Sequence, residues 1–141
     1  METGRPVLIA PAKMPGRLSG TVAIAWKDRP EAARAVAAAQ PFVEMADRVV
    51  IYSADEGAET DERSCEGLRY ALSWHNPHTT VQRLKQDGRL PVETLLAAAG
   101  AVEADVLVMG GYGHSRVREV IFGGFTRHVL TSADLPILMA H

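Results

Sequence analysis

The sequence predicts an α/β domain: a mostly parallel five-stranded sheet, Rossmann-like, with helices on both faces. Three observations predict it. Short apolar runs alternate with segments of helical period along the whole chain. Two of these runs, Thr21–Trp26 and Asp105–Gly110, are apolar on both faces, as strands buried in a parallel sheet are. A glycine-rich stretch follows the second run and leads into another helical segment. At 141 residues the chain is long enough to bury one substantial core.

The elements follow in order. Gly20 opens the strand Thr21–Trp26. Asp28, two residues before Pro30, and the Ala-rich sequence beyond it start a helix that runs toward Ala46. Pro41 lies inside that helix and should kink or split it, because it removes an N–H and clashes with the preceding turn. Arg48–Ser53 is the second strand, and Asp55–Asp61 reads as a polar turn. Glu62–His75 is helical by spacing, with Leu68, Leu72 and His75 on one side and Tyr70 and Trp74 on another. Asn76-Pro77 stops it. Thr79–Leu84 alternates and is β-branched, which places it near an edge. Leu90–Val102 is a helix whose buried stripe is Val92, Leu95, Leu96 and Ala99. Phe125–Ser132 is the last helix and Pro136–Ala140 the last strand.

Residues 1–20 form a leader with a strand-like segment at 6–10, ahead of a domain spanning 21–141. Arg5-Pro-Val-Leu-Ile-Ala10 resembles Leu135-Pro-Ile-Leu-Met-Ala140 almost position by position. On one reading the chain descends from the second half of a tandem array and keeps the final strand of a lost first half. On the other the segment is a disordered leader and the match is chance. A spare edge strand invites pairing across a dimer.

Composition excludes several classes. The net charge of −2, with Lys and Arg scattered, argues against nucleic-acid binding, which needs a basic stripe. The single cysteine, Cys65, has no internal disulfide partner and fits a reducing compartment. No apolar run approaches the ~20 residues of a membrane span. Val7–Ala10 is too short for a signal-peptide core. The expected location is the cytoplasm, away from membranes.

The stretch from Met109 to Thr126 carries the chemistry. Gly110 and Gly113 let the backbone turn sharply and approach a ligand. Gly123 and Gly124 precede the last helix, where free N–H groups and the helix dipole favour an anion. Thr126 adds a hydroxyl in the same turn, and His114 and Ser115 stand within reach of a bound phosphate.

These residues resemble the universal stress protein family, and the likeness covers residues 21–141. Its nucleotide-binding members carry G-x2-G-x9-G-[ST] after the fourth strand. This chain has Gly110-x2-Gly113-x9-Gly123, followed by Gly124 where Ser or Thr is usual. Val22-Ala-Ile-Ala-Trp26 and Glu31-Ala-Ala-Arg-Ala-Val36 resemble the family's first strand and helix. The resemblance implies strand order 3-2-1-4-5 and homodimers joined through the last strand. It also implies an adenine nucleotide, ATP with Mg2+, held by Gly110, Gly113, His114, Gly123, Gly124, Phe125 and Thr126. Ala25, Ser53 and Met109 would lie near the base or sugar. Binding members usually place an Asp just after the first strand. Here that position is Lys27, which either occupies the pocket or reaches a phosphate, and Asp28 follows it as a partial substitute.

Other residues have plainer readings. The acidic run Asp55, Glu56, Glu59, Asp61 and Glu62 complements a helix dipole more simply than it gathers Mg2+. Cys65 reads as inert, and Trp26 and Trp74 as packing anchors. No nucleophile stands beside a base and no ligand set has metal spacing, so no catalytic or metal-binding residue is assigned. The expected function is a stress-response or regulatory domain that binds adenine nucleotide. The alternatives are a dimeric interaction module whose pocket has lost the nucleotide and, more weakly, a slow ATPase.

Overall fold

The computed structural model describes residues 5–54, 59–85, 87–111 and 125–141. The elements are β1 (Val7–Ile9), β2 (Thr21–Ala25), α1 (Pro30–Ala38), α2 (Gln40–Met45), β3 (Arg48–Ala54), α3 (Glu59–Ser73), β4 (Thr79–Leu84), α4 (Pro91–Ala101), β5 (Val106–Gly110), α5 (Phe125–Ser132) and β6 (Ile137–Ala140). They form one sheet of order β1-β6-β5-β2-β3-β4. Strands β2 to β6 are mutually parallel, and β1 joins β6 antiparallel. Counted without β1, the order is the 3-2-1-4-5 implied by the family likeness. The extra N-terminal strand occupies the edge beside the last strand.

Alternation along the buried strands builds two cores. Val22, Ile24, Val49, Ile51, Val106, Val108 and Leu138 face α1, α2 and α3, where Ala35, Val36, Ala39, Val43 and Leu72 meet them. Ala23, Val50, Tyr52, Leu107, Met109, Ile137 and Met139 face α4 and α5 and pack on Val92, Leu95, Ala99 and Val129. Strands with both faces covered need apolar residues at every position, which is why they read as unbroken runs.

Pro41 divides the first helical segment as expected. Helix α1 ends at Ala38, and α2 restarts at Gln40 with the proline in its first turn, where the missing N–H has no helical partner to lose. Helix α3 begins at Glu59, earlier than the polar turn suggested: acidic residues serve a first helical turn as well as a loop. It ends at Ser73, so His75 lies beyond it. Leu96 is half-buried, while Val92, Leu95 and Ala99 are buried.

Trp74 is not a packing anchor. It is 73% exposed and meets Tyr70 edge-to-face at 6.2 Å on the outer side of α3. The apolar seam of α3 passes instead through Leu68 and Leu72.

Gly110 ends β5 against the first turn of α1. A β-carbon there would lie 2.7 Å from the Ala32 backbone nitrogen and 3.0 Å from Glu31. Backbone cannot yield as a side chain does, so Gly110→Ala should lower stability by about 1–3 kcal/mol. At Gly111 the obstacle is the flexible Met139 side chain, 2.8 Å away at sulfur. Gly111→Ala should therefore cost less than Gly110→Ala. Urea midpoints of the two variants check the order.

Candidate functional site

The chain leaves β2 toward β3 and β4 on one side and later returns through β5 and β6 on the other. The carboxyl ends of β2 and β5 are therefore the topological switch point, where open α/β sheets leave a crevice. Ala25 and Met109 lie side by side there in the parallel register. In sequence the glycine-rich stretch lies between β5 and α5.

Beside the crevice Trp26, Lys27, Asp28, Ser53, Asp61, Ser64 and Cys65 line a half-open pocket of about 30 Å3. Three elements build it. The turn after β2 supplies residues 26–28 and is tightened by a 2.7 Å hydrogen bond from the Arg29 N–H to the Lys27 carbonyl. Strand β3 ends with the buried Ser53. Helix α3 contributes Asp61, Ser64 and Cys65, which its i, i+3, i+4 spacing puts on one face. The Trp26 Nε1–H donates to Ser64 Oγ at 2.9 Å and clamps the turn to α3. Its backbone N–H donates to the Tyr52 carbonyl at 2.9 Å, continuing the β2–β3 ladder.

The charge at the mouth is mixed: exposed Lys27 beside the carboxylates of Asp28 and Asp61. Burial pushes the Cys65 thiol pKa up, a hydrogen bond with Ser53 pulls it the other way, and Asp61, Asp28 and Glu66 raise it further. The thiol stays protonated and buried, which accords with an inert cysteine. Native protein should react with a thiol reagent far more slowly than protein in urea. Equal rates would mean that Cys65 is open to solvent.

The structure brings Lys27 and Ser53 into this pocket and Gly110 to its neighbouring edge. Met109 is buried in the α4–α5 core, 4% exposed, and Ala25 packs at the border of that same core. Their side chains therefore point away from the Trp26–Cys65 pocket. Thr126 is buried in the first turn of α5. Gly113, His114, Gly123 and Gly124 lie outside the described residues, as do Asp55 and Glu56. The side chain of Phe125, which starts α5, is likewise not among those described.

From sequence Trp26 reads as a packing anchor, Cys65 as inert and Asp61 as part of an acidic run that complements a helix dipole more simply than it gathers Mg2+; Ser64 is not singled out. Their signal was available: Trp26 directly follows a buried strand at the carboxyl edge, and the three α3 residues share one helical face. Among the described residues no His, Cys, Asp and Glu side chains cluster to hold a metal ion, and no helix is long and apolar enough to cross a membrane.

Fold and crevice define a doubly wound α/β domain with its topological switch point between β2 and β5. The chain belongs to the universal stress protein family, whose model matches residues 21–141. It is similar in structure to a universal stress protein from Archaeoglobus fulgidus DSM 4304, with a TM-score of 0.77 and 20% identity. That match covers 97% of this chain and 50% of the other, so this chain spans about half its length. A universal stress protein in complex with cAMP gives a TM-score of 0.63 at 20% identity, covering 86% of this chain and 96% of that one. A universal stress protein from Archaeoglobus fulgidus in complex with dAMP, a shorter chain than the first, gives a TM-score of 0.67 at 15% identity, covering 89% of this chain and 100% of that one. No match was found among curated proteins.

Proposed function

We propose that this chain is a cytoplasmic regulatory domain of the stress-response type that binds an adenine nucleotide, ATP with Mg2+, at the β2–β5 crevice. The observation that carries this reading is the placement of both ends of the glycine stretch. Gly110 and Gly111 leave β5 at the switch point, and Thr126 sits in the first turn of α5. Gly110, Gly113, Gly123 and Gly124 would offer backbone N–H groups to the phosphates, with the α5 dipole favouring their charge. Ser53 and the turn at Lys27–Asp28 would flank the nucleoside. Similar folds in complex with cAMP and with dAMP support the adenine class. Bound nucleotide would act as a signal by favouring one conformation or partner.

The pocket as described suits hydrogen bonding better than chemistry. Among the described residues its hydroxyls, Ser64 and Ser53, bond to Trp26 and Cys65 and not to a base, so slow ATP hydrolysis ranks behind binding. Among the described residues, Asp28 and Asp61 are the carboxylates that line the pocket and would meet a magnesium ion arriving with its nucleotide.

Calorimetric titration with Mg-ATP tests the proposal. Heat should saturate near one nucleotide per chain and vanish in Gly113→Val. No heat up to about millimolar ATP, equivalent to roughly −4 kcal/mol, would overturn it. The chain would then be an interaction module of the same fold, the second reading, which the cation at Lys27 favours.

A further inference from the structure

Helix α1 packs over β5 and β6, and α3 over β3 and β4, so a groove opens between the two helices above β2. The connections β2–α1–β3 and β3–α3–β4 join parallel neighbours, so both helices run from the carboxyl edge of the sheet back to its amino edge. The groove has a volume of about 240 Å3 and is open to solvent. One wall carries Ala33, Val36, Ala37 and Gln40, at the i, i+3, i+4, i+7 spacing of a single helical face. The other carries Leu68, Ala71, Leu72 and His75 at the same spacing. Trp26, in the turn after β2, closes the end at the carboxyl edge. We propose that this groove binds a neutral chain alcohol of about eight carbons, its chain lying between α1 and α3 and its hydroxyl at Gln40 and His75. The site is separate from the nucleotide crevice and does not depend on it.

Three features select this occupant. The first is the lining. Between Trp26 and the polar end, every side chain in the groove is Ala, Val or Leu. An apolar chain laid there leaves water, and no polar group of the groove loses a partner. The second is length. Ala33 to Gln40 is seven residues, about 10 Å along a helix. An extended chain advances about 1.2 Å per bond, so about eight carbons reach from one end to the other.

The third is the polar end. Gln40 Nε2 donates to Glu44 Oε1 at 3.1 Å and lies 2.8 Å from His75 Nδ1. With the amide so assigned, Nδ1 is the acceptor and the neutral imidazole carries its proton on Nε2. One donor, His75 Nε2–H, and one acceptor, Gln40 Oε1, then remain for a ligand. A hydroxyl matches this pair, because it accepts one hydrogen bond and donates one. A carboxylate does not: it only accepts, and Glu44 stands beside the imidazole with Oε1 3.4 Å from Nδ1. Trp26 borders both this groove and the Ser53–Ser64 pocket. It is one of two tryptophans, and the other, Trp74, is exposed.

The test titrates the full chain, without nucleotide, with octan-1-ol. Calorimetry on the unaltered chain and Trp26 fluorescence in Trp74→Phe should both saturate near one alcohol per chain. Affinity should rise about fourfold per CH2 from hexan-1-ol to octan-1-ol. Decan-1-ol should bind no tighter than octan-1-ol, because the groove ends at Trp26. Octanoate should bind at least about tenfold more weakly, because its charge would leave water beside Glu44. Ala37→Phe and Ala71→Phe each put a ring into the groove from an exposed position and should abolish binding. His75→Leu removes the donor and should weaken octan-1-ol about fivefold, the worth of one hydrogen bond.

Absence of saturable binding by octan-1-ol overturns the proposal. Affinity that keeps rising at decan-1-ol also overturns it, because the alcohol would then be partitioning onto apolar surface at large. Octanoate binding as tightly as octan-1-ol would make the head site anionic and reject the hydroxyl. Binding that survives both Ala37→Phe and Ala71→Phe would put the alcohol elsewhere. A chain that sediments as a dimer, and becomes a monomer in Ala71→Phe, would mean that a second copy fills the groove. If the substituted chains fail to fold, the length series and the octanoate comparison on the unaltered chain still decide.

Discussion

Replacing Asn76 by Ala should lower the unfolding free energy by about 2–4 kcal/mol, among the larger losses available to a single polar side chain. Asn76 is 3% exposed and sits between the end of α3 and the start of β4. Its Nδ2 donates to the Val43 carbonyl at 2.9 Å and to the Ala46 carbonyl at 2.8 Å. Both carbonyls lie at the end of α2, where Val43 also accepts the Ala46 N–H at 3.4 Å. Its Oδ1 accepts the His78 N–H at 2.9 Å, and its own carbonyl accepts from Thr79 Oγ1 at 2.7 Å. One side chain thus ties three segments together at a buried corner.

Truncation would take the side-chain partner from the part-buried Ala46 carbonyl and His78 N–H and leave the Val43 carbonyl with only the Ala46 N–H at 3.4 Å. Each group that loses its partner costs about 1–3 kcal/mol, although water entering the vacated space would recover part of the sum. Asn76→Asp separates hydrogen bonding from shape. It keeps the acceptor for His78 but places a carboxylate against two carbonyl oxygens, so it should be at least as destabilising as Ala. Urea unfolding measures both. A loss under about 0.5 kcal/mol for Asn76→Ala, the range of ordinary surface substitutions, would show that the corner is held by packing alone.

Lys27→Asp should tighten adenine nucleotide binding by about one to two decades. On the proposed reading the substitution places a carboxylate in the turn after β2, where the family resemblance implies an Asp and where it would accept from the nucleoside. A hydrogen bond to a charged group is worth about 1.5–3 kcal/mol, which is that range of affinity. The opposing effect is repulsion of the phosphates. At ~10 Å through water it amounts to about 0.4 kcal/mol per charge before screening, and less at physiological salt. Loss of the lysine charge doubles the change in sign, yet the direct hydrogen bond still dominates.

Adenosine separates the two effects, because it carries no phosphate. The gain should appear with adenosine at full size and with ATP slightly reduced. Unchanged affinity for both ligands would place residue 27 away from the nucleoside. Weaker ATP binding with adenosine unchanged would instead mark Lys27 as a phosphate contact.

Much of the fold was legible in the residues. Thr21–Ala25, Arg48–Ala54 and Val106–Gly110 read as buried parallel strands because both of their faces are apolar. Pro41 announced a break in its helix, and the Thr79–Leu84 alternation announced an edge strand. The site was only half legible. Motif and position pointed to Gly110 and Ser53, of which Ser53 lines the pocket, but Asp61, Ser64 and Cys65 come to the pocket from a helix distant in sequence. Trp26 and Trp74 are the same residue type flanked by similar apolar sequence, yet one clamps the pocket turn and the other stands in solvent.

What the sequence determined by itself is whatever local periodicity and backbone sterics decide: the strands, the split helix, the α/β class and the glycine stretch after β5. Only the tertiary structure decided that β1 closes against β6, that Asn76 caps a helix 30 residues before it, and that three α3 side chains face the turn after β2. These are contacts between segments far apart along the chain. They depend on which surfaces the sheet brings together, and no local preference of the residues encodes that choice.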